Sequence, residues 1–169
     1  MKDTLEILIV DDDAVHRRAV RLNMAGWGYS VTEADDGEEA VRQAHLKTFD
    51  LILMDIRMTR MSGLEALEQI KKIQPAVPVI IMTAYASVET AVSAMKMGAD
   101  DYLTKPLNYD ELQIKIERTA ERRRLKNENE YLKERLGEKF DRRNLIGRSE
   151  PMIRLLEMVE QVAATQATV

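Results

Sequence analysis

No cysteine occurs among the 169 residues, which removes disulfide frameworks and thiolate chemistry and fits a reducing compartment. No apolar run is long enough to cross a bilayer, and the N-terminal run Ile7 to Val10 stops at three aspartates, unlike a signal peptide. A soluble, cytoplasmic protein without membrane contact is therefore expected. A formal net charge of -4 supplies no global field for nucleic acid or anionic lipid. The two histidines, His16 and His45, have no partner at metal-ligand spacing and are expected on helix surfaces.

What is present is enough apolar residue for one full core plus an appendage, at 45% apolar and 32% charged content. FDLILMDIRM, Phe49 to Met58, is chemically odd: Leu51, Ile52, Leu53 and Met54 read as a strand buried on both faces, and it ends on the lone carboxylate of Asp55. In open α/β sheets that edge is where ligands bind. Taken alone, Asp55 reads equally as a turn aspartate.

The rest of the chain repeats the pattern. Strands are expected over Leu5 to Val10, Tyr29 to Glu33, Val79 to Met82 and Asp101 to Thr104. Helices are expected over Ala14 to Ala25, Glu38 to Leu46, Gly63 to Ile73 and Val88 to Met97. Val15, Ala19, Leu22 and Met24 supply the apolar residues of the first helix. Alternating buried strands and amphipathic helices require a parallel sheet covered on both faces. A long helix follows, from Asp110 to about Leu136, whose Leu112, Ile114 and Ile116 are available to pack on the sheet. Its later part is too polar for a globular core, yet Leu125, Asn129, Leu132 and Leu136 recur at heptad spacing. They read as a parallel two-stranded seam or, failing that, as a face of a connector helix. Arg122, Arg123 and Arg124 could touch phosphates, but flanked by Glu121 and Glu128 they read as a solvated face rather than a nucleic-acid contact. Gly137 to Arg143 is a charged linker, and Leu145 starts a new amphipathic segment with Met152, Leu155, Leu156, Val159 and Val162.

The strand ends carry Asp11 and Asp12, Asp55, Thr83 and Lys105, all on one edge of the expected sheet. Three carboxylates this close repel and raise one another's pKa unless a cation is present. Oxygen ligands with room for water suit Mg²⁺. A carboxylate beside Mg²⁺ can attack phosphorus, with a lysine and a hydroxyl stabilising the phosphoryl oxygens. A flavodoxin-like cofactor binder would need a Ser, Thr or Gly-rich phosphate loop where three aspartates stand. A hydrolase of the aspartyl-phosphate type would need a dedicated acid-base group.

The segments LIVDDD, LILMDIRM, IIMTAYAS and ADDYLTKPL, in this order and spacing from Leu5 to Ala120, resemble the signature segments of two-component response regulator receiver domains. The resemblance implies an α/β fold, a flavodoxin/CheY-like (βα)5 doubly wound parallel sheet of strand order 2-1-3-4-5 with a long C-terminal helical linker. It implies phosphorylation of Asp55 by a sensor histidine kinase. Mg²⁺, replaceable by Mn²⁺, would be held by Asp11, Asp12, Asp55 and the Arg57 backbone carbonyl. Thr83, Ala84, Lys105 and Tyr102 form the implied phosphoryl-binding and switch set, and the Lys105-Pro106 bond is expected to be cis. One departure is the loop Met58-Thr59-Arg60-Met61, where the family has Met-Pro-Gly-Met.

LIGRSEPMIRLLEMVEQVAATQATV, Leu145 to Val169, resembles the opening of the AAA+ domain of NtrC-like, sigma-54-dependent activators. The implied organisation is a receiver over 1-120, a helical coiled-coil linker over 121-144 and an AAA+ stub over 145-169. Nothing from Leu145 onward offers a glycine-rich phosphate loop with Lys and Ser or Thr, so ATP binding, sigma-54 RNA polymerase and DNA are expected only through domains outside this chain. The chain is not expected to be an enzyme beyond its own aspartyl phosphorylation and dephosphorylation. It is expected to dimerise through the linker helix and receiver. The alternative is an adaptor or phosphorelay receiver with no ATPase output.

Overall fold

The computed structural model describes residues 4–84, 88–139 and 154, with side chains described over 4–84, 91–133 and at 154. Elements alternate as β1 (Glu6–Val10), α1 (Ala14–Gly26), β2 (Ser30–Ala34), α2 (Gly37–Leu46), β3 (Leu51–Asp55), α3 (Gly63–Ile73), β4 (Val79–Thr83), α4 (Val88–Lys96), β5 (Asp101–Thr104) and α5 (Tyr109–Lys139). The five strands form one sheet of order β2-β1-β3-β4-β5, and every pairing is parallel.

Every residue of β3 and β4 is buried, because both strands lie inside the sheet with helices over both faces. Alternation then sorts their side chains into two cores. Leu8, Ile52, Met54 and Ile81 face one way, onto Ala40 of α2, Leu67 and Ile70 of α3 and Ala94 of α4. Ile7, Ile9, Leu53 and Ile80 face the other way, onto Val20 and Met24 of α1 and Leu112 and Ile116 of α5. Each fully buried Leu or Ile contributes about 1.5–3 kcal/mol of transfer free energy.

Helix starts are set by side-chain caps. Asp13 accepts from the N–H groups of Val15 and His16, and Asp36 accepts from that of Glu38. Ser62 and Glu65 form a reciprocal capping box on α3. Boundaries and faces differ from the sequence expectation in places with clear causes. Tyr29 belongs to the turn out of α1, its N–H donating to the Met24 carbonyl at 3.1 Å, so β2 begins at Ser30 and extends to Ala34, which pairs with Val10. On α1, Val15 is 80% and Leu22 56% exposed while Val20 and Met24 are buried. At 100° per residue, Val15 lies opposite Met24. On α5, Ile114 is 65% exposed for the same reason, half a turn away from buried Leu112 and Ile116.

The chain divides into compact units at Arg124 and Leu125. In the first unit, Arg123 of α5 donates to the Phe49 carbonyl at 2.9 Å and to Asp50 at 3.1 Å. In the second, α5 continues to Lys139, so the segment expected as a linker from Gly137 begins helical. Leu125, Asn129 and Leu132 are exposed. The side chain of Leu136 and the segment expected as an AAA+ stub, apart from Arg154, lie outside the described residues.

Candidate functional site

A parallel sheet delivers all its carboxyl ends to one edge, and there the sequence places its acids. Asp11 follows β1 directly and is held by its N–H, which donates to the Ala34 carbonyl at 3.2 Å. Asp55 is the last residue of β3, paired in register with Met82 of β4. Asp11, Asp55 and Thr83 are buried, whereas Asp12 is exposed. Carboxylate oxygens of Asp11, Asp12 and Asp55 lie within 4.8 Å of one another. An all-oxygen set of this kind, open to water on the Asp12 side, fits the ligand preference of Mg²⁺.

Lys105 enters the cluster from the end of β5. Its Nζ donates to Asp11 Oδ2 at 2.8 Å and also to Asp55 Oδ2. Its backbone N–H donates to the Thr83 carbonyl at 2.8 Å, and the Lys105-Pro106 peptide is cis. The Arg57 N–H donates to Asp55 Oδ1 at 3.2 Å. Thr59 donates its hydroxyl to Asp12 Oδ2 at 3.3 Å, bringing the departing loop onto the acid cluster.

Burial pushes the Asp11 carboxyl up, but hydrogen bonds from His16 and Lys105, the Lys105 charge and the Asp13 N–H outweigh it and hold Asp11 below the usual carboxylate range. Burial likewise pushes Lys105 down, and Asp11 and Asp55 more than reverse it, so the ammonium is held above its ordinary value. The protein thus brings a cation of its own to the site, and for Asp11 its attraction together with the hydrogen bonds exceeds the cost of burial.

His16 departs from the sequence expectation. It was expected as an ordinary surface residue, yet its Nδ1 lies 2.6 Å from Asp11 Oδ2, while Nε2 is buried without a partner. The available signal was its place in the first turn of α1, where helical side chains lean toward the N-terminus and so toward the preceding loop. His45 is exposed. Asp36, the cap residue of α2, is 1% exposed. Its carboxylate receives the N–H groups of Glu38, Arg60 and Met61.

Ala84 is exposed at the end of β4. Tyr102 is 41% exposed. It lines a surface groove with Ala91, Val92, Met95 and Lys96, and Lys115 Nζ stands 5.9 Å from its ring centroid. Lys115 also pairs with Asp101 at 2.7 Å, tying α5 to β5 beside the tyrosine. No helix among the described residues is long and apolar enough to cross a membrane.

The chain is similar over its length to known regulators. It is 42% identical over 167 residues to the transcriptional regulatory protein ZraR of Escherichia coli K12, covering 99% of this chain and 37% of that protein. It is 36% identical to the regulatory protein AtoC of the same strain, covering 96% and 35%. It thus spans little more than a third of the length of the curated relatives it matches. Among solved structures, a CheY-like receiver domain protein from Methanospirillum hungatei JF-1 superposes with a TM-score of 0.71 at 33% identity, covering 73% of this chain and 99% of that one. NtrX from Brucella abortus superposes at 0.72 and 32% identity, covering 98% and 36%. The model of the response regulator receiver domain matches residues 7–117, and the chain belongs to that family.

Proposed function

We propose that this chain is a phosphorylation-switched receiver in which Asp55 accepts a phosphoryl group from a sensor histidine kinase or a small acyl phosphate in a Mg²⁺-dependent step. The observation that supports this best is Asp55 at the end of β3, bonded by Lys105 and within 4.8 Å of two further acids. An oxygen of the Asp55 carboxylate attacks phosphorus; the new O–P bond forms as the P–N bond of a phosphohistidine breaks, and the imidazole nitrogen keeps the electron pair. Lys105, held protonated, pairs with a phosphoryl oxygen as it arrives, and the Thr83 hydroxyl and the backbone at Ala84 receive the others. Asp11, Asp12, Asp55 and the Arg57 carbonyl would hold Mg²⁺, which when bound neutralises phosphoryl charge.

Output follows from the same edge. Thr83 is drawn toward the phosphoryl group, Tyr102 turns inward, and the face formed by α4, β5 and α5 is repacked. The two packings must lie within a few kcal/mol for one phosphoryl group to reverse their order. The heptad residues of α5 carry the change to a second chain and to an output of the sigma-54 activator class. In this reading 1-120 is the receiver, 121-144 the helical linker and 145-169 the start of an AAA+ domain. The test is intact-mass measurement with an acyl phosphate. One phosphoryl adduct is expected with Mg²⁺, and none with chelator or in Asp55→Asn; an undiminished adduct in that variant would sink the assignment.

A further inference from the structure

We propose that Asp36, at the start of α2, is a positioning residue for the loop that leaves Asp55, and that it fixes the Arg57 backbone there. The inference rests on the reading of Asp55 and its neighbouring acids as a Mg²⁺-dependent acceptor site.

The loop between β3 and α3 lacks the usual proline-glycine pair and carries Thr59-Arg60 instead. It therefore has no residue with a locked φ, and its order must come from elsewhere. Asp36 supplies it. One carboxylate oxygen caps α2 by accepting the Glu38 N–H at 2.7 Å. The other accepts two successive loop N–H groups, from Arg60 at 3.2 Å and Met61 at 3.3 Å. The Arg60 guanidinium lies 3.5 Å from the same oxygen. A carboxylate this deeply buried is tolerated only when so paired.

Two glycines make the arrangement possible. A Cβ on Gly37 would stand 2.7 Å from the Met61 carbonyl oxygen, so only glycine lets the loop lie against the first turn of α2. A Cβ on Gly63 would stand 2.0 Å from the Asp55 carbonyl oxygen. The Gly63 N–H donates to the Ile56 carbonyl at 2.9 Å, closing the loop's far end onto its beginning. Arg57 thus lies between a tie to its own strand end and a tie to Asp36. A carbonyl ligand held this way is oriented before the cation arrives. The groups behind metal ligands commonly change affinity 10- to 100-fold when removed.

Asp36→Ser separates the two duties, since serine still caps a helix but is too short to reach the loop. The parent and variant are titrated with Mg²⁺ alone by calorimetry. Hydrogen exchange is followed at the Arg60 and Met61 amides, and phosphoryl adduct formation is timed at low and saturating Mg²⁺. The variant should keep α2 and show faster exchange at both amides. Its Mg²⁺ dissociation constant should rise roughly 10-fold. Phosphorylation should be slowed at low Mg²⁺ and return to the parent rate at saturation, a split that simple loss of stability does not produce. Parent-like Mg²⁺ affinity with both amides deprotected overturns the role of Asp36. Should the serine variant not fold, Asp36→Asn, which keeps the shape and one acceptor, is read by the same criteria. A parent that binds no Mg²⁺ overturns the acceptor-site reading and this proposal with it, whereas a binding parent with an unaltered variant overturns only the latter.

Discussion

Lys105 brings one positive charge to three carboxylates, and a buried acid is stable only with such company. The cluster still carries an excess of negative charge, which a divalent cation would relieve. Mg²⁺ at 100 times its dissociation constant should stabilise the fold by about 2.7 kcal/mol, a rise in Tm of roughly 5–10 °C for a chain of this size. Asp12→Ala, which removes an exposed oxygen ligand and leaves the Lys105 pairs intact, should abolish most of that rise in a melting experiment. Equal rises in parent and variant would place the cation elsewhere. At this scale the place of Asp55 at the end of a buried strand was legible, because an apolar run that stops on a carboxylate is unusual. His16 and Asp36 were not. Each looks like an ordinary polar residue until the chain returns to place Asp11 beside one and Arg60 and Met61 beside the other.

Among the elements, α1 shows how little an apolar count says about which helix face is buried. Val15 and Leu22 share one side and Val20 and Met24 the opposite one, yet all four are apolar. The choice is made by the cap and by the sheet. Asp13 sets the first turn, and the turn after Met24 leads into β2, so the Met24 side lies on Ile7, Ile9 and Leu53. Met24→Ala should therefore cost about 2–5 kcal/mol in denaturant unfolding, through lost burial and a cavity. Leu22→Ala should stay within about 0.5 kcal/mol. Similar losses at both positions would mean that the exposed side is covered in solution.

For the whole molecule, α5 is the element that belongs to both units, ending at Lys139 with Leu125 and Leu132 exposed. If these residues and Asn129 form the proposed two-stranded seam, light scattering should give a dimer for the parent and a monomer for the Leu125→Asp, Leu132→Asp double variant. The same mass for both, with and without a phosphoryl mimic, would reduce α5 to a connector. The sequence by itself determined the alternation of elements, the parallel sheet and the acids at its strand ends. These are local properties: period, burial of a run, and the residue at which a run stops. Only the tertiary structure decided that Lys105 reaches both Asp11 and Asp55, that His16 bonds Asp11, and that Asp36 holds a loop 24 residues away. Such partners are brought together by the register of neighbouring strands and the close approach of Gly37 and Gly63, and no local pattern along the chain encodes that distance.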